Sequence, residues 1–65
     1  MKAYGAIPSQ NGWTVGRCSA EYRDMHKVSN VREFATFEEA DQVARDIAQG
    51  KYGFIAKGGE YVNMR

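Results

Sequence analysis

Between Phe37 and Gln49 the apolar residues Phe37, Ala40, Val43, Ala44, Ile47 and Ala48 recur at spacings of three and four. Glu38, Glu39, Asp41, Gln42, Arg45, Asp46 and Gln49 fill the remaining positions. The pattern predicts one amphipathic helix over Phe37 to Gln49. Its ends are marked as well. Thr36 followed three residues later by Glu39 reads as a capping box, Glu38, Glu39 and Asp41 lie near the positive end of the helix dipole, and Gly50 offers a left-handed stop.

Upstream the period changes. Asn11-Gly12 separates two extended runs, which predicts a hairpin with strands of about Lys2 to Ser9 and Trp13 to Ala20. Downstream, Gly58-Gly59 separates Phe54-Ile55-Ala56 from Tyr61-Val62-Asn63 and predicts a second hairpin at the C-terminal end. The stretch Glu21 to Arg32 is polar and weakly patterned. It reads as a loop leading into a short strand around Val31 to Phe34. The chain reads as one domain, residues 1–65, of α+β class: a β-hairpin, a short third strand, one α-helix and a C-terminal hairpin, with an antiparallel sheet packed on the helix.

A turn at Asn11-Gly12 pairs Gln10 with Trp13, so that cross-strand partners have residue numbers summing to 23. One face then carries Ala3, Gly5, Ile7, Thr14, Gly16 and Cys18. The other carries Lys2, Tyr4, Ala6, Trp13, Val15 and Arg17. One helix cannot cover both. Either it lies on the small-residue face, matched by its own alanine stripe, and Tyr4, Trp13, Val15 and Arg17 form an open aromatic and basic surface, or the aromatic face is the core, as the usual burial of Trp and Tyr suggests. The first arrangement yields a candidate partner-binding surface of Tyr4, Trp13, Val15 and Arg17, extended by Arg23, Lys27 and Arg32.

Composition narrows the function classes. At 65 residues the chain is near the lower limit for a metal-free and disulfide-free core, and it leaves no room for a cleft between domains. A formal charge of +1 gives no strong overall pull toward nucleic acid or membrane, so any attraction must be local. Cys18 has no partner for a disulfide, and the opening MKAYGAIPSQ has no apolar run of signal-peptide length, which points to a soluble cytoplasmic protein. No membrane partner is expected.

Candidate chemistry is sparse. His26 and Cys18 fall short of a zinc site's three or four ligands, and Cys18 is read as a buried structural thiol. The glycines lack phosphate-loop spacing, and the acidic helix positions read as a solvated face. No cofactor, no metal and no catalytic constellation are expected.

Phe34, Thr36, Glu38, Glu39 and Ala40 form an F-x-T-x-E-E-A signature which, with the preceding hairpin and the final Gly-turn hairpin, resembles a family of small bacterial and phage proteins of unknown function. That resemblance implies a fold and no activity. The segment from Gly12 to Gln49 is also similar to AP2/integrase-type DNA-binding domains. There a three-stranded sheet reads the major groove, and Trp13 and Arg17 would carry that role here. The order of elements from Tyr4 to Gln49 resembles HicB-type antitoxins, and in size and style the chain looks like anti-CRISPR proteins.

The expected function is a small binding protein of phage-type, an inhibitor that occupies a surface on a host protein or ribonucleoprotein complex. A nucleic-acid-binding module and a homodimeric antitoxin-like protein are the alternatives. The capping motif carries its own test: Thr36→Ala is expected to destabilise the protein by ~1 kcal/mol, read as a lower thermal midpoint.

Overall fold

The computed structural model describes residues 2–19, 23–53 and 58–65. The elements run β1 (Ala3–Ser9), β2 (Gly12–Cys18), β3 (His26–Lys27), α1 (Phe37–Ala48) and β4 (Glu60–Tyr61). They form a four-stranded mixed sheet in the order β3-β2-β1-β4, packed on the single helix. β1 and β2 pair antiparallel, as do β2 and β3, whereas β4 lies parallel to β1. The α+β class therefore holds, but the expected all-antiparallel sheet does not. The first strand of the expected C-terminal hairpin, Phe54 to Ala56, lies outside the described residues, as does the Ala20 end of the expected second strand.

The helix starts where its cap predicts. Thr36 is extended (φ −126°), its Oγ1 accepts from Glu39 N at 3.3 Å, and its hydroxyl donates to Glu39 Oε1 at 3.3 Å. At the other end Gly50, at φ +73°, donates to Ile47 O, and Gly59 N satisfies Ala48 O at 2.8 Å, so a distant segment closes the last turn.

The hairpin register corrects the sequence expectation. Ser9 pairs with Gly12 and Pro8 with Trp13, so partner numbers sum to 21 and the turn is Gln10-Asn11. Asn30 is the only non-glycine with positive φ among the described residues, so Gln10 and Asn11 do not form the mirror-image turn that Asn11-Gly12 predicts. Tertiary contacts account for the shift. Asn11 donates through N and Nδ2 to the Glu33 carboxylate, and Gly12, at φ +149°, lies so close to Phe34 that an added Cβ would sit 2.2 Å from its carbonyl oxygen. Each residue's partner moves by two positions, which leaves every side chain on its expected face.

The third strand is also displaced. It forms at His26–Lys27 rather than Val31 to Phe34, because Val28 N bonds Val15 O and the chain then leaves β2 through Asn30 (φ +69°). It returns at Phe34, which exchanges both backbone hydrogen bonds with Trp13. Residues 29–33, polar except for the buried Val31, form an excursion that the two returns bracket.

The helix lies on the aromatic face. Tyr4, Ala6 and Val15 are buried against Phe37, Ala40, Ala44 and Ile47, with Val31 and Phe34 completing the core. Trp13 packs edge-on against Phe37 with ring centroids 5.3 Å apart. The physical reason is size complementarity. Alanines at 40, 44 and 48 let the helix backbone come close, and the large Tyr4, Trp13 and Val15 groups fill the space and bury far more apolar area than the small face offers.

The small residues serve a different close approach. A Cβ on Gly5 would sit 2.5 Å from Val62 O, and one on Gly16 would sit 2.9 Å from the Ile7 side chain and 3.0 Å from Met25 Cβ. The C-terminal segment and the chain before β3 therefore press onto that side of the sheet.

Gly59 separates steric from purely conformational glycine requirements. It holds φ +154°, and an added Cβ would sit 2.8 Å from Lys2 O and 3.0 Å from the Tyr4 ring, whereas Gly53 at φ +49° has nothing within 4 Å. Gly59→Ala is expected to cost about 3 kcal/mol and Gly53→Ala only about 1 kcal/mol, compared as urea unfolding midpoints.

Candidate interaction surface

The structure divides the residues expected at the binding surface. Tyr4 and Val15 are 1% and 0% exposed, so neither can meet a partner, and Trp13 is half-buried against Phe37. Those three are core positions, because the helix covers the face on which they lie. Arg17, Arg23, Lys27 and Arg32 are exposed. Cys18 is a buried free thiol and His26 is exposed.

The exposed cations fall into two groups that the sequence does not distinguish. Three arginines are engaged inside the molecule, each over an aromatic ring. Arg32 lies 4.3 Å from the Phe34 centroid and donates to Glu33 O at 3.1 Å. Arg45 lies 4.5 Å from the Tyr61 centroid and pairs with Asp41 at 3.2 Å. Arg65 lies 4.6 Å from the Phe37 centroid and pairs with Glu38 at 3.1 Å. Such contacts contribute about 0.5–1 kcal/mol each at exposed sites, and here they tie the C-terminal segment to the helix.

The second group is gathered at the other end of the sheet. Gly59 N bonds Ala48 O and Glu60 N bonds Lys2 O, which places the start of β1, the end of α1 and the start of β4 together. Arg17 pairs across strands with His26 at the end of β2 beside them. Lys2, Arg17, Arg23 and Lys51 therefore share this end with the carboxylates Asp24 and Glu60, and Lys27, opposite Gly16, stands one position further along the sheet toward Glu33. Lys2, Arg17, Lys27 and Lys51 are exposed and make no ion pair among the described residues, whereas Arg23 and Glu60 are themselves engaged. The pleat puts Arg17 and His26 on the helix side and Lys27, opposite Gly16, on the other, so the cations rim the end of the sheet rather than line one face.

The opposite end and the outer helix surface carry the internally compensated acids. The neighbouring Ser9 hydroxyl, which has no hydrogen bond of standard geometry, then the Asn11 donors and the charge of Lys27 hold the Glu33 carboxyl below its ordinary range. The Glu38 backbone N–H and then Arg65 do the same for Glu38. Asp41 accepts from both Arg45 and the Tyr61 hydroxyl, and Gln42 donates to Asp46 at 3.1 Å. Burial, followed by the hydrogen bond to Asp41, pushes the Tyr61 phenol above its ordinary value.

Among the described residues no group of three or more His, Cys, Asp or Glu side chains could hold a metal ion, and no helix is long and apolar enough to cross a membrane. No family model matches this chain, and no curated protein or solved structure matches it either. The cationic rim was only half legible: Arg17 and Arg23 stand close in sequence, but Lys2 and Lys51 join them through the topology, while Arg32 is engaged by Glu33 and Phe34, one and two residues on.

The shifted groups give pH dependence of known sign. Glu33 and Glu38 have lowered folded values, so their contribution is present above the unfolded carboxyl value and is lost as pH falls through the folded one. Tyr61 has a raised folded value, so its contribution is present below about pH 10 and is lost as pH rises through the folded value. A wild-type minus Tyr61→Phe difference titration at the phenolate absorbance is expected to show one transition above pH 10.

Proposed function

We propose that this chain is a small non-enzymatic binding protein that works by occupying a surface on a larger macromolecular complex. The observation that carries the reading is the division of the exposed cations. Arg32, Arg45 and Arg65 are held by rings or carboxylates, while Lys2, Arg17 and Lys51 stand without an ion pair among the described residues at one end of the sheet. Charges without internal partners keep their solvation until a partner arrives, and Arg is frequent among interface hot spots. In the form suggested by the sequence resemblance, the protein is a phage-type inhibitor of a host defence or nucleic-acid-handling complex. A major-groove-reading sheet is less well supported, because it needs Trp13 on an open face and Trp13 packs on Phe37 beneath the helix.

The test is capture from a bacterial lysate with the tagged chain, with and without nuclease, beside an Arg17→Glu/Lys51→Glu variant. Both positions are exposed, so the variant is expected to keep the wild-type circular-dichroism spectrum. The expected outcome is a defined protein set that survives nuclease and is lost with the variant. Equal recovery by the folded variant would contradict the reading.

A further inference from the structure

We infer that Asn11 is a site of covalent modification, spontaneous deamidation through attack by the Gly12 amide nitrogen, and that the Glu33 carboxylate holds this reaction in check. Asparagine is a thermolabile residue, most so where the residue after it leaves its own backbone nitrogen unshielded. The chain has three asparagines, and they are followed by Gly12, Val31 and Met64. Val31 and Met64 carry side chains beside the attacking nitrogen, and only Gly12 leaves it open. Asn11 is exposed to solvent at the hairpin turn.

The fold cannot relieve this by a bulkier residue at position 12. Gly12 holds φ +149°, and an added Cβ would sit 2.2 Å from Phe34 O. Asn11 is restrained instead. Glu33 Oε2 accepts from Asn11 N at 3.3 Å and Glu33 Oε1 accepts from Asn11 Nδ2 at 3.2 Å, so one carboxylate holds the side chain by the nitrogen that would leave. The neighbouring Ser9 hydroxyl, then the Asn11 donors and the charge of Lys27 keep that carboxyl below its ordinary range, so at neutral pH it is ionised and accepts at both oxygens. The attacking nitrogen is restrained as well. Gly12 pairs with Ser9, and Trp13 beside it exchanges both backbone hydrogen bonds with Phe34, which sets Gly12 N inside the ladder. Ring closure therefore waits on a local opening of the turn.

The reaction needs only water. Gly12 N loses its proton to solvent as it bonds to Asn11 Cγ, and the Cγ–Nδ2 bond breaks with release of ammonia. Water then opens the cyclic imide at either carbonyl. Opening at Cγ gives aspartate, and opening at the backbone carbonyl gives isoaspartate, whose main chain runs through the former side chain. Both products lose the Nδ2 donor and set a carboxylate against that of Glu33, and like charges so close repel. The contact that ties the turn to residues 29–33 thus changes from attraction to repulsion, beside the bridge between Trp13 and Phe34.

The experiment incubates the full chain in mildly alkaline buffer at physiological temperature and follows each asparagine by peptide mapping. It reads the mass change of an amide becoming an acid and separates the isoaspartyl peptide by its retention. The expected result is conversion at Asn11 ahead of Asn30 and Asn63, severalfold faster in Glu33→Ala with a wild-type circular-dichroism spectrum. No conversion at Asn11 in either protein, earlier conversion at another asparagine, or an equal rate in the folded variant would overturn the inference. A second pair of variants reads the product even where Glu33→Ala does not fold. Asn11→Asp is expected to lower the thermal midpoint, and Asn11→Asp/Glu33→Gln to recover most of the loss, because the new amide then donates to the new carboxylate. An unchanged midpoint in Asn11→Asp, or no recovery in the double variant, would overturn the part assigned to Glu33.

Discussion

The fold depends on the seating of one alanine-lined helix face on the bulky side of a two-stranded ribbon. Ala40, Ala44 and Ile47 are fully buried against Tyr4, Ala6 and Val15, at the centre of the core cluster. A ribbon of two strands is marginal in water, and a 12-residue helix is marginal alone, so each element is ordered by the other. Once that face is taken, the back of the sheet must be closed by less regular means. Val62 and Met64 cross Gly5, and Met25 reaches Gly16, where the glycines leave room for them.

The same packing organises the charges. With α1 running antiparallel to β1, its acidic first turn stands at the hairpin-turn end and its C-terminus stands with the starts of β1 and β4. The C-terminal segment then passes alongside the helix, and Tyr61 and Arg65 engage Asp41, Phe37 and Glu38 in turn. Acids and arginines along that side neutralise one another locally. Lys2, Arg17 and Lys51 at the far end have no ion pair among the described residues, so a chain of formal charge +1 acquires a local excess of exposed cations that its composition hides. An excess of this kind acts over about a Debye length, enough to orient a small domain as it approaches an anionic surface.

Which parts were readable in advance follows from the range of the interactions involved. The helix start at Phe37 rests on Thr36 and Glu39, three residues apart, and the two faces of the hairpin rest on strict alternation, which survived a register change of two positions. The register itself was not readable, because Asn11 and Gly12 answer to Glu33 and Phe34, more than twenty residues away. The third strand was misplaced for a related reason. Val31 to Phe34 has the stronger strand composition, but His26 to Val28 and then Phe34 are the residues whose backbones meet β2, and the excursion between them carries no period.

The sequence by itself determined the helix, its cap, the existence of the first hairpin and the membership of each sheet face, since these follow from backbone stereochemistry and from neighbours a few residues apart. Only the tertiary structure decided which face the helix would cover, that β4 would join β1 in parallel, and that Arg45 and Arg65 would be drawn onto Tyr61 and Phe37 rather than left in solvent. Those choices compare areas and charges between elements distant in the chain. The larger apolar burial of Tyr4, Trp13 and Val15 settled the first of them, and with it left the exposed cations at the end of the sheet rather than on an open aromatic face.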